Sequence, residues 1–307
     1  MKSYFSYFSS SKSTIRWLLP TLLGVVVITW LYDGGSMGKD ISFVTFPEIE
    51  EISSVSWDYD SYVAYFTDLA EKKGARYAFD VLIEAPMPHG VDIHEIGHHI
   101  GYVLYEQKGI GGISECTEAL QNACAHAVII QTLIEHGLSA LGEVANVCAE
   151  APGGRGAYAV CFHGVGHGIL AYLDYDYKSA VSECRNVYDS VRLAEGPPRI
   201  ENIENVWLQC VSGATMELMQ GSHDVLMREK MQEVYMPASD VRMPCNASYV
   251  PDEVRSACYT YVTGRFFEAA GATRGIPSPE FYPKTFSYCE KITATDAKSI
   301  DACYRGI

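Results

Sequence analysis

The hydrophobic positions of this chain recur with helical spacing over most of its length. From Asp58, the stretch DYDSYVAYFTDLAEKKGARYAFDVLIEA combines apolar residues at helical spacing with residues that favour helices. The pattern ends at PMPHG, where two prolines and a glycine stop a helix. Alternating runs of β-branched residues are sparse, whereas Ala, Leu, Glu and Met are frequent. The sequence therefore predicts an all-α fold.

One apolar run near the N-terminus carries no charge at all. Residues 17–32, WLLPTLLGVVVITWLY, follow a basic tail and span roughly 24 Å as a helix, which is short but sufficient to cross a membrane. Trp17, Trp30 and Tyr32 fit interfacial positions. We expect residues 1–16 to be a cytoplasmic tail, the run to be a retained transmembrane signal anchor, and the body to be periplasmic or extracellular. A cleaved signal peptide is the alternative, although LYDGGSMG lacks a small-residue cleavage site.

The body of the chain contains an internal repeat. Residues 33–57 read as an acidic tether, and residues 58–307 as one exported helical domain. Three stretches of that domain align: DIHEIGHHIGYVLYEQKGIGGISEC, CAHAVIIQTLIEHGLSALGEVANVC and CFHGVGHGILAYLDYDYKSAVSEC. In each stretch a histidine precedes a cysteine by 21 or 22 positions. The pairs are His94/Cys116, His126/Cys148 and His163/Cys184.

Later copies of the repeat lack this histidine. They open with CVSGATMELMQG and CYTYVTGRFFEAAG, where Ser212 and Thr260 stand in its place. The domain therefore divides into a histidine-rich part, residues 90–184, and histidine-poor repeats, residues 185–307. Such repeats predict disulfide-clipped helical hairpins that stack into a solenoid or a curved bundle, whose surface offers a place for a protein partner. A further copy opens at CYRGI, and because a capping repeat is expected after it, the sequence predicts a fragment or a truncated product.

The ten cysteines indicate an oxidising compartment. The sequence leaves their connectivity open, and pairing of neighbours along the chain is the simplest choice. Each such bridge contributes on the order of 3 kcal/mol by restricting the unfolded chain. Free buried thiols are the alternative. The neighbouring pairs are Cys116/Cys124, Cys148/Cys161, Cys184/Cys210, Cys245/Cys258 and Cys289/Cys303.

The charge balance excludes one class of partner. The chain has 23 Lys and Arg against 38 Asp and Glu, its formal net charge is −15, and no basic stripe interrupts it. A surface with this charge repels phosphate backbones, so we expect no nucleic-acid partner.

Five histidines carry the candidate chemistry: the two pairs His94/His98 and His163/His167, and the single residue His126. On a helix, a pair spaced i, i+4 places two imidazoles one turn apart on the same face, as paired metal ligands require. His126 occupies the repeat position of the first member of each pair, and Ile130 replaces the second member in that copy. Gly97 and Gly166, just before the second histidine of each pair, predict close helix contacts. Stacked repeats would bring five imidazoles together, which predicts a multi-histidine metal site.

Ligand chemistry narrows the cofactor to a transition metal. Sites rich in imidazole and poor in carboxylate suit Zn, Cu, Fe or Ni rather than Ca or Mg. Zinc is the first choice, and iron or copper are the alternatives. An ion with an open position would activate water, and Glu95 or Asp92 is the candidate catalytic base. Glu217 and Glu183 are candidate extra carboxylates, and His99 is an alternative ligand.

The stretch HEIGHHIG resembles the HExxH motif of zincin peptidases. That resemblance implies zinc-dependent hydrolysis with His94 and His98 as ligands and Glu95 as the general base. It covers five residues, and Leu104 stands where the extended zincin motif has a third histidine. In the chain's own copy HGVGH, Gly164 takes the place of Glu95, so the shared element is His-x-x-Gly-His. A repeated histidine metal site therefore ranks above the peptidase.

Two further resemblances concern the same histidines. HxxxHH and HxxxH are similar to the histidine boxes of membrane di-iron desaturases, although those enzymes span the membrane several times and keep these boxes at the cytoplasmic face. CFHGVGHG and HxxGHxxG, within residues 94–184, resemble motifs of exported bacterial proteins that have no assigned activity. We therefore predict a membrane-anchored, extracytoplasmic helical-repeat protein with a multi-histidine metal site. A zinc hydrolase, a non-enzymatic scaffold with a structural metal, and a di-iron oxidative enzyme are the alternatives.

Overall fold

The structure of the protein is a computed structural model. It describes residues 46–54, 57–88, 90–150, 155–193, 204–272, 278–293 and 296–307. Phe46–Ile307 form one compact unit. The predicted signal anchor at residues 17–32 and the tether up to residue 45 lie outside the described residues, so membrane attachment stays a prediction.

Every regular element among the described residues is helical, and these residues contain no strand. The predicted all-α fold is confirmed. Short 3-10 turns lie at Gly109–Glu115, Gly137–Ala140 and Pro279–Phe281. The α-helices are α1 (Pro47–Ser54), α2 (Tyr59–Lys73), α3 (Ala75–Glu84), α4 (Ile93–Lys108), α5 (Ala119–His136), α6 (Leu141–Glu150), α7 (Arg155–Tyr172), α8 (Tyr177–Leu193), α9 (Glu204–Gln220), α10 (Val225–Tyr235), α11 (Asp252–Tyr261), α12 (Thr263–Ala270), α13 (Tyr282–Cys289) and α14 (Ala297–Gly306).

The first helical pattern of the domain divides into two helices, α2 and α3. Asp58 caps α2, because its carboxylate accepts a hydrogen bond of 2.8 Å from the amide of Ser61. Gly74 lies between the two helices with a φ of 94°, a backbone conformation that favours glycine. The helical spacing of the sequence did not indicate this break.

Helices that carry successive copies of the predicted repeat pack side by side. Helix α4 contacts α5, α5 contacts α7, α7 contacts α9, α9 contacts α11, and α11 contacts α14. Their interfaces bury large apolar side chains such as Ile96, Ile129 and Phe162, each worth about 1.5–3 kcal/mol. This order agrees with stacked hairpins, and the repeat itself stays a prediction.

Glycines allow these helices to approach closely. A Cβ atom added at Gly97 would lie 2.8 Å from a side-chain carbon of α5. At the contact between α7 and α9, a Cβ atom on Gly166 would lie 1.9 Å from the carbonyl oxygen of Cys210. A Cβ atom on Gly213 would lie 1.8 Å from the carbonyl oxygen of His163. The predicted role of the glycines before the paired histidines is therefore confirmed.

Five disulfides join elements that are neighbours along the chain, and none of the ten cysteines is free. They link the turn after α4 to α5, α6 to α7, α8 to α9, the loop before α11 to α11, and α13 to α14. The predicted pairing is confirmed. The bridges are Cys116–Cys124, Cys148–Cys161, Cys184–Cys210, Cys245–Cys258 and Cys289–Cys303.

Among the described residues, one helical stretch, Ala119–Cys148, is long and apolar enough to cross a membrane by length and composition alone. Half of its apolar 18-residue window is buried inside the fold. The stretch comprises α5, a 3-10 turn and most of α6, and α5 ends at Gly137, where φ is 68°. Since α5 also packs between α4 and α7, we treat this stretch as part of the core.

Candidate metal centre

Helix α4 presents the first histidine pair. Asp92 caps this helix by accepting a hydrogen bond of 3.1 Å from the amide of Glu95. The helix then places His94 and His98 one turn apart, and their ring centroids are separated by 4.6 Å. His98 is buried and His94 is partly buried, so both rings turn toward the interior.

Helices α5 and α7 supply three more imidazoles. The rings of His163 and His167 on α7 are 4.9 Å apart. The ring of His126 on α5 lies 5.0 and 5.2 Å from these two. It also lies 5.7 Å from His94 and 5.8 Å from His98. We refer to these five residues as the histidine cluster, and His126 lies at its centre.

The histidine cluster contains two groups whose nitrogens are close enough together to hold a metal ion. One group is His94, His98 and His126, and the other is His126, His163 and His167. Within each group the candidate ligand atoms all lie within 4.8 Å of one another. Bonds of about 2.0–2.1 Å from imidazole nitrogen to zinc require only small ring movements to converge from such distances. Because a neutral imidazole has one lone pair, His126 can bind an ion in either group but not in both at once.

Most nitrogens of the histidine cluster have no hydrogen-bond partner among the described residues. Both ring nitrogens of His98 and of His126 are buried and unpaired, as is Nε2 of His94 and of His167. An unpaired buried polar group costs about 1–3 kcal/mol, and folded proteins rarely keep several in one place. A bound cation would satisfy the lone pairs of these rings.

Hydrogen bonds from outside the cluster fix two of the rings. Nδ1 of His94 lies 2.6 Å from the carbonyl oxygen of Leu120, and Nδ1 of His167 lies 2.8 Å from a carboxylate oxygen of Glu217. Since both oxygens are acceptors, each Nδ1 donates its proton and each Nε2 keeps a lone pair. The hydroxyl of Tyr175 donates to the other oxygen of Glu217, 2.7 Å away. A carboxylate behind an imidazole is a common support of metal-binding histidines.

A left-handed turn at the start of α5 holds the carbonyl group that contacts His94. Leu120, Gln121 and Asn122 have φ values of 51°, 54° and 64°. Such conformations cost non-glycine residues about 1–3 kcal/mol each and tend to occur at functional sites. The Cys116–Cys124 disulfide joins the two sides of this turn. Nothing in the sequence pattern predicted it.

His163 contacts helix α9 rather than a main-chain carbonyl. Its Nδ1 lies 3.1 Å from the hydroxyl oxygen of Ser212, and its Nε2 lies 3.4 Å from the sulfur of Met216. Our sequence reasoning noted Ser212 only as a replacement for histidine, and it missed Met216. The available signal was position, because Met216 follows Cys210 by the same interval as His167 follows Cys161.

Burial favours the neutral form of four histidines in the cluster, His94, His98, His126 and His163. It lowers the pKa of His98, His126 and His163 well below the ordinary value, because a charged imidazolium loses its hydration. Repulsion between neighbouring rings acts in the same direction. Burial also lowers the pKa of His94, although its bond to the carbonyl of Leu120 opposes the change. Neutral imidazole is the form that binds metal.

Glu95 lies buried beside the histidine cluster. One of its carboxylate oxygens is 3.8 Å from Nδ1 of His98, and the hydroxyl of Ser222 donates a hydrogen bond to it. Burial raises the pKa of Glu95 to about 8, while the bond from Ser222 acts in the opposite direction. The side chain is therefore placed where it can exchange a proton next to a candidate ligand.

The remaining candidates lie apart from the two groups. The carboxylate of Glu183 accepts a hydrogen bond from Asn186 on its own helix, 2.9 Å away. His99 is partly buried beside Tyr102 and belongs to neither group. Ile130 is fully buried among apolar side chains. Of the two extra carboxylates that the sequence suggested, Glu217 is the one that contacts a histidine.

Comparisons with protein-family models, with curated proteins and with solved structures find nothing that matches the chain. Function has to be argued from the chemistry of the histidine cluster, since a helical fold alone does not specify one.

Proposed function

We propose that this chain holds a transition metal in a closed site built from His94, His98, His126, His163 and His167, within an exported and membrane-anchored helical domain. The observation that carries the proposal is the set of buried, unpaired imidazole nitrogens. These rings come from three helices, so their convergence costs free energy that a bound ion would offset. No fold requirement of α4, α5 or α7 calls for imidazoles at these positions.

The depth of the histidine cluster favours retention of the metal over turnover of a substrate. His98, His126 and His167 are each 1% exposed, and His163 is 5% exposed. A hydrolytic zinc site keeps one position open to water and substrate, whereas a structural or sequestering site is closed by protein ligands. Each group of three imidazoles needs only one more protein ligand from the cluster to close the tetrahedral coordination of one ion.

A zinc-dependent hydrolase is the second candidate function, and the position of Glu95 favours it. Its carboxylate lies 3.8 Å from His98 on the same helix, in the HExxH arrangement that supplies both ligand and base in zinc peptidases. Burial of Glu95, which is 8% exposed, counts against direct contact with a large substrate. A di-iron oxidative enzyme has less support, because the histidine-box enzymes span the membrane several times, whereas the proposed attachment of this domain is the one apolar run at residues 17–32.

Metal analysis of the purified full chain tests the first candidate. After expression in medium that contains zinc, copper and iron, the chain should retain at least one of these metals through gel filtration. His126→Gln should remove the metal, because His126 belongs to both groups. His136→Gln is the matched control, since His136 lies on the same helix and is exposed. A wild-type chain without metal would refute the proposal.

A second measurement separates the two candidates. Glu95→Gln should leave the metal content unchanged in both cases. If the chain is a hydrolase, this variant should abolish hydrolysis of a panel of peptides and esters that the metal-loaded wild type cleaves. If the site only holds metal, the wild type should not cleave them either, and the variant should behave like it.

The proposed location rests on the disulfides together with the apolar run at residues 17–32. Five disulfides fit an oxidising compartment. A reporter enzyme that folds only outside the cytoplasm, fused after Ile307, should be active. Deletion of residues 2–32 should silence the reporter, and an active reporter in that variant would contradict export through this run.

A further inference from the structure

We propose that Met216 is a further ligand of the histidine cluster, and that its thioether makes the end of the cluster near His163 selective for copper(I). This inference rests on the proposed metal site and names the metal that its softer end prefers. Three observations support it: the position of Met216 in the repeat register, the close packing of α9 on α7, and the contact of the sulfur with His163.

The register places Met216 where other copies place a ligand. Each histidine-bearing copy is counted from its opening residue, which is Asp92 in the first copy and a cysteine in the later ones. Six positions after the opening residue the first copy has His98, and the α7 copy has His167. Six positions after Cys210, the α9 copy has Met216. Methionine is a metal ligand of the thioether class, so this copy replaces an imidazole by a softer donor rather than by an inert side chain.

The packing of α9 on α7 brings this sulfur to the cluster. Gly213 lies against the carbonyl oxygen of His163, and Gly166 lies against the carbonyl oxygen of Cys210, so each helix presents a glycine to the other's backbone. This reciprocal contact lets the two helices approach until side chains one turn further along can touch. Met216 is 5% exposed, and its side chain therefore points inward.

In the contact between His163 and Met216, the lone pair of Nε2 can face a lone pair of the sulfur. Ser212 lies next to Nδ1 of His163 at 3.1 Å, and its hydroxyl also interacts with Tyr261. When Ser212 donates to Tyr261, its oxygen accepts the proton of Nδ1, and Nε2 keeps its lone pair. That lone pair faces the sulfur of Met216 at 3.4 Å. A cation bound by both atoms satisfies this arrangement, and the separation is typical of two ligands of one ion.

The donor set then determines which metal fits best. His126 and His167 share a group with His163, so this end offers up to three imidazoles and one thioether. Thioether sulfur favours copper(I), whereas zinc gains little from it when imidazoles are present. The opposite end, His94 and His98, offers imidazole alone. The alternative is a hydrogen bond in which Nε2–H of His163 donates to the sulfur, a weak acceptor.

Competition experiments with the full chain distinguish a copper(I) ion bound by His163 and Met216 from a hydrogen bond between these two residues. Copper(I) is kept reduced by ascorbate under nitrogen, because thiol reductants would open the disulfides, and its affinity is measured against a coloured copper(I) chelator. Zinc affinity is measured in parallel. Met216→Leu should lower the copper(I) affinity by at least about tenfold and change the zinc affinity by less than about twofold. Leucine has nearly the volume of methionine, so the fold should persist, as a thermal melt will verify.

Met219→Leu is the matched control, because Met219 lies on the same helix and packs against the core, and no hydrogen bond between described residues joins it to His163. It should change neither affinity. Copper X-ray absorption of the wild-type chain should also contain a sulfur shell that Met216→Leu removes. A shell of nitrogen alone, or equal losses of copper and zinc affinity in Met216→Leu, would overturn the proposal. A wild-type chain that binds neither metal would overturn the proposed metal site itself.

Discussion

Helices α4 to α7 of the histidine-rich part and helices α11 to α14 of the histidine-poor repeats are built in the same way but bury different polar groups. In both, disulfides join neighbouring elements, and helices pack in chain order. In α11 to α14, two buried hydroxyls bond to the backbone and one is unpaired: Thr263 donates to the carbonyl of Gly306 at 2.7 Å, Thr285 donates to that of Phe281 at 2.9 Å, and Ser299 has no partner among the described residues. In the histidine-rich part, buried imidazoles leave several nitrogens unpaired.

This difference shows which features belong to the scaffold and which to the site. The scaffold needs cysteines, apolar faces and small residues at helix contacts, and both parts provide them. The unpaired imidazoles fill space in that packing, but their nitrogens cost free energy without a partner. We therefore expect substitutions in the histidine cluster to change metal binding, whereas substitutions of Thr263 and Thr285 should change stability alone.

The largest expected effect comes from His126, the member shared by both groups. His126→Gln should abolish tight metal binding, because each group keeps only two imidazoles. Isothermal titration with zinc and with copper, before and after the substitution, measures the loss. His136→Gln should bind as the wild type does. Equal binding by His126→Gln and the wild type would place the metal elsewhere.

Glu217 should have the next largest effect, because it supports a ligand instead of binding the ion. Its carboxylate accepts the Nδ1 proton of His167. Glu217→Gln should lower metal affinity by about 10–100-fold, as loss of such supporting groups does. Glu183→Gln, on the neighbouring helix α8, is the control and should have no effect. If the two variants behave alike, the bond between Glu217 and His167 has no role in metal binding.

Removal of one disulfide from each part sharpens the comparison. Loss of Cys116–Cys124 or of Cys289–Cys303, by paired substitutions to Ser, should lower the free energy of unfolding by about 2–3 kcal/mol. Only the first should also weaken metal binding, because that bridge holds the turn at Leu120 whose carbonyl orients His94. Denaturant unfolding and metal titration of both variants provide the test. Equal metal affinity in the two variants would mean that the turn at Leu120 has no role in metal binding.

The smallest effect concerns pH. In the metal-free chain, burial keeps the pKa of His98, His126 and His163 below the value of about 6.5 that they have when unfolded. As the pH falls through that value, the unfolded chain takes up protons that the folded chain does not, so the free energy of unfolding decreases. The raised pKa of Glu95 acts in the opposite direction over the same range, so thermal melts in chelator at about pH 7.5 and about pH 5.5 should show a larger decrease in Glu95→Gln than in the wild type. His98→Leu should show a smaller decrease than the wild type. An equal decrease would mean that other groups cause it.

The sequence predicted the scaffold better than the details of the site. Helical spacing, cysteine pairs and the i, i+4 histidines depend on local regularities, so the all-α fold and the five bridges followed from them. The left-handed turn at Leu120 and the break at Gly74 did not follow, because the helical spacing of the apolar residues does not indicate either of them. Contacts between distant residues, such as His167 with Glu217 and His163 with Met216, depend on how α9 packs on α7. Only the position of Met216 in the repeat, six residues after Cys210, indicated it from the sequence.

Anomalous X-ray scattering from crystals of the metal-loaded full chain tests the central claim most directly. Data collected on either side of the absorption edge of the bound metal locate that metal without reference to the protein. The account predicts a peak within bonding distance of His126 and of at least two other members of the histidine cluster. An ordered cluster without such a peak, or a peak whose ligands lie elsewhere, would contradict it.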